Sequence, residues 1–254
     1  MDLGLGGRRA FVTGGGRGIG RAIAIALADA GCHVAFNYLR NRRSAEETLK
    51  ELHRRGVKAL AVRANLADDD AMAAAFREVG ESLGSLDVVV HNAASGVERE
   101  AMDISRHHFD WTMGINAWGF LSTVRLAVPL MKDGGSVVAI SSLGSIRAMP
   151  YYTAVGASKA AIESIARHLA VDLGPRGIRV NIICPGVVDT DALTHFPNRQ
   201  QLITDFNATS PLGRLVTPQD VASAVLFFAS DLSAMVSGAT LFVDGGYQAV
   251  GAPR

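Results

Sequence analysis

Thr13-Gly14-Gly15-Gly16-Arg17-Gly18-Ile19-Gly20 closes a short apolar run, residues 9–13, and opens a segment of helical period, residues 19–30. Glycines let a backbone approach a ligand closely, and a helix N-terminus offers unpaired N–H donors at the positive end of its dipole. On its own such a turn is weak evidence; placed between a strand and a helix it is a pyrophosphate site. The rest of the chain supplies that setting. Further apolar runs at 33–36, 59–63, 86–91, 136–140, 179–183 and 240–243 alternate with helical segments at 44–55, 69–82, 106–132, 152–173 and 218–229. Alternation of this kind implies a parallel sheet covered on both faces, and the strands are apolar on both sides as such burial requires.

The predicted fold is therefore α/β: a Rossmann-like, doubly wound, parallel seven-stranded sheet forming one domain over residues 1–254. The 254 residues are 48% hydrophobic, enough for a sizeable core, and the formal net charge of +1 gives no electrostatic case for nucleic acid or an anionic membrane. No apolar run is long enough to span a bilayer, and no apolar stretch of a secretion signal follows Arg8-Arg9. Cys32 and Cys184 lie in apolar surroundings and are expected as buried thiols of a reducing, cytoplasmic compartment. No cluster suggests a metal site.

One segment breaks the alternation. Residues 185–217 carry Pro185, Pro197 and Pro211 between polar clusters. So long a connection inside a compact domain is usually functional. It is predicted to hold a substrate lid at about 188–212, in which Phe196, Leu202 and Phe206 could pack or meet substrate.

The second run continues Phe36-Asn37-Tyr38-Leu39-Arg40. An NAD site usually has an acid about 20 residues past the glycines, to bond the ribose hydroxyls. Asn37 is neutral, so nothing there repels a 2′-phosphate, and Arg40 and Arg17 offer positive charge for one. NADPH (NADP+) is expected over NADH.

The glycine spacing fits T-G-x-x-x-G-x-G, and the chain resembles the short-chain dehydrogenases/reductases. The resemblance makes Gly14, Gly16, Arg17, Gly18, Ile19 and Gly20 a cofactor loop. It adds Asn65 and Leu66 after the third strand, where the family usually has an aspartate beside the adenine, and Asn92-Ala93-Ala94 after the fourth. Pro185-Gly186-Val187-Val188-Asp189-Thr190 resembles the segment that contacts nicotinamide and pyrophosphate, and Asp244-Gly245-Gly246 matches the family's C-terminal turn. Among the catalytic positions it implies Asn116, which would hold a water near the lysine, Ser142 after the fifth strand, and Lys159, which would bind the nicotinamide ribose and lower a tyrosine pKa.

The family's tyrosine position, four before Lys159, is Val155, which has no hydroxyl. Tyr152 lies seven before the lysine, two turns away on the same helix face; Tyr151 is displaced by a further ~100°. Tyr152 is thus the expected hydrogen-bond donor, with Tyr151 packing or lining the substrate pocket, as Phe196 would. Tyr-x6-Lys is the spacing of the enoyl-acyl-carrier-protein reductases. An enoyl reductase adds hydride at Cβ while charge develops on the thioester oxygen, several bonds away, so its hydroxyl must stand further from the hydride source. Stretches such as Ser141-Ser142-Leu143-Gly144-Ser145-Ile146-Arg147 resemble the FabL-type enoyl-acyl-carrier-protein reductases. That resemblance implies NADPH-dependent reduction of trans-2-enoyl thioesters in fatty-acid elongation, a substrate carried on acyl carrier protein, and a homotetramer built partly on the helices near 106–132 and 152–173. Two alternatives stay open: a 3-oxoacyl or other carbonyl reductase, and a non-catalytic NADP-binding protein.

Overall fold

The computed structural model describes residues 3–190, 193–194 and 199–251. Seven parallel strands, β1 (Arg9–Val12), β2 (His33–Tyr38), β3 (Ala59–Arg63), β4 (Val88–His91), β5 (Gly135–Ile140), β6 (Ile178–Pro185) and β7 (Thr240–Val243), lie in the order β3-β2-β1-β4-β5-β6-β7. Val12 pairs with Phe36 on one side and Val90 on the other. The strand order reverses at β1, and the crevice past the strand ends at such a switch point is where open α/β sheets bind ligands.

Alternation along each strand feeds two cores. Ala10 and Val12 face the layer of α1 (Gly18–Asp29), α2 (Arg42–Arg54) and the helix Pro218–Ala229. Phe11 faces the other layer, where its ring lies 4.7 Å from Phe76 of α3 (Asp69–Leu83). Burying each such large apolar side chain is worth about 1.5–3 kcal/mol relative to exposure. Local chemistry sets the helix starts: Asn41 and Asp68 cap α2 and α3 by accepting from the Ser44 and Ala71 amides.

The strands and most helices match expectation to within a few residues; two places differ. The helix expected over 106–132 is composite. α4 (Arg106–Met113) passes through a π-helical turn, Gly114–Trp118, into α5 (Gly119–Ala127), and a 3₁₀ turn at Val128–Leu130 ends it around Pro129. α6 (Thr153–Leu173) follows, and then the segment expected to be irregular contains α7 (Arg199–Thr209); α8 is Pro218–Ala229. The base of that segment is closed where Asp189 N donates to Val216 O (3.0 Å) and Val216 N donates to Val187 O (3.0 Å). Cys32 and Cys184 are free and buried, as expected. No described helix is long and apolar enough to cross a membrane.

Candidate active site

A cleft of about 770 Å³ opens past the strand ends at the switch point. The glycine turn forms its floor. A Cβ on Gly20 would collide with the carbonyl oxygen of Gly14, so only glycine lets α1 start this close to β1. Arg17 caps α1 without a side-chain bond to its amides, and no acid occupies the first turn. The helix therefore presents unpaired N–H groups to the cleft, which is the chemistry a diphosphate needs. Thr13 Oγ1 accepts from the Asn92 and Ala93 amides, both at 2.9 Å, and ties the β4 end to the floor.

Asn37 lines the cleft but its amide is committed. Its Oδ1 accepts from Gly14 N (2.9 Å) and its Nδ2 donates to Ala64 O (3.0 Å). It braces the glycine turn. Around it, Tyr38, Leu39, Arg40, Asn41 and Ser44 complete the wall without an acid. Arg42 and Arg43 are paired with Glu46 and Glu47, whereas Arg17 and Arg40 have no ion pair among the described residues.

Lys159 comes from α6 and is 5% exposed; its Nζ donates to Ile140 O at 2.8 Å. Burial pushes its ammonium down to about 8. Tyr152 stands at the N-cap of α6, in the cleft, hydrogen-bonded by Ser142. Burial raises its phenol pKa, and the Ser142 bond only partly offsets that, so at neutral pH the hydroxyl keeps its proton and can donate. Its ring is seated on glycine: a Cβ at Gly144 would clash with the ring. Val155 is buried and packs against Gly96, so the one-turn position holds methyl groups.

The residues expected to bind cofactor converge on this cleft, apart from Gly20, which packs behind Gly14. Asn116 also lies behind it. Its Nδ2 donates to Ser95 O (2.9 Å) and Ser158 Oγ (2.8 Å), and its Oδ1 accepts from Ser95 N (2.9 Å). Tyr151 is outside the cleft wall, 37% exposed, with φ +63°. Phe196 lies outside the described residues. Phe206 stacks on Tyr247 (4.9 Å between centroids) and does not line the cleft. Trp111, Ile115, Met149 and Leu193, unanticipated as site residues, join Leu202 in an apolar wall. Trp111 and Ile115 are four apart, a helix-face spacing that was available in the sequence.

A glycine-floored cleft at the switch point, with a buried lysine and a protonated tyrosine, defines a nucleotide-dependent oxidoreductase. Residues 14–248 match the family described as enoyl-(acyl carrier protein) reductase, and the chain belongs to that family of the short-chain dehydrogenase/reductase superfamily. It is 38% identical to a 1-cyclohexenylcarbonyl-CoA reductase of Streptomyces collinus, covering 96% of this chain and 88% of the relative. It is 34% identical to the NADH-type enoyl-[acyl-carrier-protein] reductase of a Synechocystis species, over 98% and 99% of the two chains. The solved structure of a blue fluorescent protein from a metagenomic library, in complex with NADPH, superposes with a TM-score of 0.89 at 34% identity, over 96% of this chain and 98% of that one.

Proposed function

We propose that this protein is an NADPH-dependent reductase of trans-2-enoyl thioesters in fatty-acid elongation, acting on substrate held by acyl carrier protein. The observation that carries the reading is the placement of the hydroxyl: Tyr152 reaches the cleft from two turns before Lys159, while Val155 fills the nearer position with buried methyls. A bound NADPH would supply the hydride for Cβ. Tyr152 would donate to the thioester oxygen as enolate charge grows there, and Lys159 would hold the nicotinamide ribose. The wall of Trp111, Ile115, Met149 and Leu202 would exclude water from the acyl chain. The S. collinus relative carries the name of a reductase of an unsaturated thioester, which favours the same chemistry. The assay that decides is NADPH oxidation with crotonyl and acetoacetyl thioesters. Turnover of the first only is expected; turnover of the second only would make the protein a carbonyl reductase, and none on either, with NADPH still bound, a non-catalytic one. Family resemblance also favours a homotetramer.

The preference for NADPH rests on the acid-free wall and on Arg17 and Arg40, which lack ion pairs among the described residues; the names of the relatives include both cofactors. Arg40→Ala should weaken NADPH more than NADH by about 1–3 kcal/mol, the worth of a charge-assisted hydrogen bond. Titration of both dinucleotides checks this, and equal losses would remove the phosphate role.

We further propose that the segment within 188–212 is the lid. Its base is pinned by the Val188–Val216 bridge, and α7 turns Leu202 into the cleft while Phe206 anchors it below Gly186. Amide exchange in α7 should slow when NADPH and a saturated thioester bind together. Equally slow exchange in the free protein would argue for a fixed wall.

A further inference from the structure

Ser142, the residue that bonds Tyr152, sits in a turn whose two flanking serines point at one buried acid. Ser141 Oγ donates to Glu163 Oε1 at 2.5 Å, and Ser145 Oγ donates to the same oxygen at 2.6 Å. Ser145 Oγ is also 2.8 Å from Ser142 O, but it has one proton, and the shorter contact to a carboxylate is the stronger acceptor. Glu163 is 8% exposed and lies four residues after Lys159 on α6, hence on the same helix face. An acid buried this far costs several kcal/mol unless its hydrogen bonds and charge are used.

Its charge has a use. Among the described residues, the titratable groups acting on Lys159 are His91 from β4, Cys184 from β6 and Glu163 from its own helix. Burial pushes His91 down to about 3 and the Cys184 thiol up to about 12, so both are neutral near pH 7. The negative charge opposing Lys159's burial under working conditions is therefore that of Glu163.

We propose that Glu163 is the positioning residue of this site: it clamps the Ser142 turn through Ser141 and Ser145 and places the buried negative charge that keeps Lys159 an ammonium. The proposal rests on the catalytic reading of Tyr152 and Lys159. Its test is arranged so that the two fail separately.

The first measurement is the titration of Lys159 by ¹³C-lysine NMR in the cofactor-free protein, with the resonance assigned by its loss in Lys159→Met. Glu163→Gln removes the charge with little change of shape. It should lower the Lys159 midpoint by about one pH unit or more, as expected for charges one helical turn apart on the same face at an effective dielectric of about 20. The alkaline limb of the kcat profile should move down with it. Glu163→Asp, which keeps the charge but shortens the reach to the serines, should leave the midpoint near that of wild type while lowering kcat. Ser141→Ala/Ser145→Ala should likewise leave the midpoint in place and lower kcat about 10- to 100-fold, with KM for NADPH unchanged. An unshifted midpoint in Glu163→Gln, or wild-type kcat in the serine double variant, overturns the proposal. A wild-type enzyme silent on enoyl thioesters would instead sink the functional reading and leave the titration result standing.

Discussion

Tyr152→Phe lowers kcat on a trans-2-enoyl thioester by about 10²–10³-fold, the cost of losing one donor aimed at a developing oxyanion. That is the expected result, and Tyr151→Phe is its control, with kcat near wild type. The contrast follows from position. Tyr152 is in the cleft, bonded by Ser142 and kept protonated by burial. Tyr151 faces outward, in a left-handed conformation that only its backbone exploits: its carbonyl accepts from Arg99 N at 3.1 Å. Because the phenol contributes at the transition state, KM should change little while kcat falls. Steady-state kinetics of the two variants checks the assignment. Full activity in Tyr152→Phe with loss in Tyr151→Phe would reverse the roles; activity in both would remove tyrosine from the mechanism.

The second large effect is expected at a residue with no reacting group. Gly144→Ala should cost kcat about as much as a misplacement of the catalytic group by roughly 1 Å, near 10²-fold. The methyl group would clash with the Tyr152 ring, which would have to shift away from its place in the cleft. Overpacking of this kind also destabilises by about 1–3 kcal/mol. NADPH affinity should survive, because the glycine turn is built by a separate part of the chain, between β1 and α1. Kinetics, a fluorescence titration with NADPH and a melting curve on the one variant distinguish these outcomes. Wild-type kcat in a well-folded Gly144→Ala would mean that the ring position is not critical.

Much of this is legible in the sequence. The apolar runs marked all seven strands because parallel strands are buried on both faces and leave a short, continuous signal. The glycine turn and the Tyr152–Lys159 spacing were legible because both are local: a turn, and two residues on one helix face. What escaped depends on distant partners. Asn37 reads only as a neutral residue in place of the usual acid until its two bonds, to Gly14 and Ala64, show that it braces the glycine turn. The resemblance gives Asn116 a water to hold, but its side chain ties the Ser95 loop to α6. Glu163 reads as one more charge on a helix until Ser141 and Ser145 arrive from another strand end. α7 was hidden for another reason. Pro197 and Pro211 bracket it, and among the residues of this short helix Phe206 alone is fully buried, so its periodicity is faint. Tyr151 adopts φ +63° because Tyr152 must enter α6 while pairing with Arg99, a demand no local propensity states.

The π-helical turn at Gly114–Trp118 works as a phase shifter. A turn closed by a five-residue step carries one residue more than an α-turn, and each residue rotates a helix by about 100°. Upstream of it, Trp111 looks into the cleft; downstream, Phe120 and Val124 look into the core; within it, Ile115 faces the cleft and Asn116 is buried. Shortening the turn by one residue would restore a uniform helix and turn one half against the other. The cleft wall and the core face could not then both be kept. The surplus residue thus gears the wall of the cleft to the packing of the domain, and an insertion or deletion elsewhere along α4 or α5 would strip that gear in the same way.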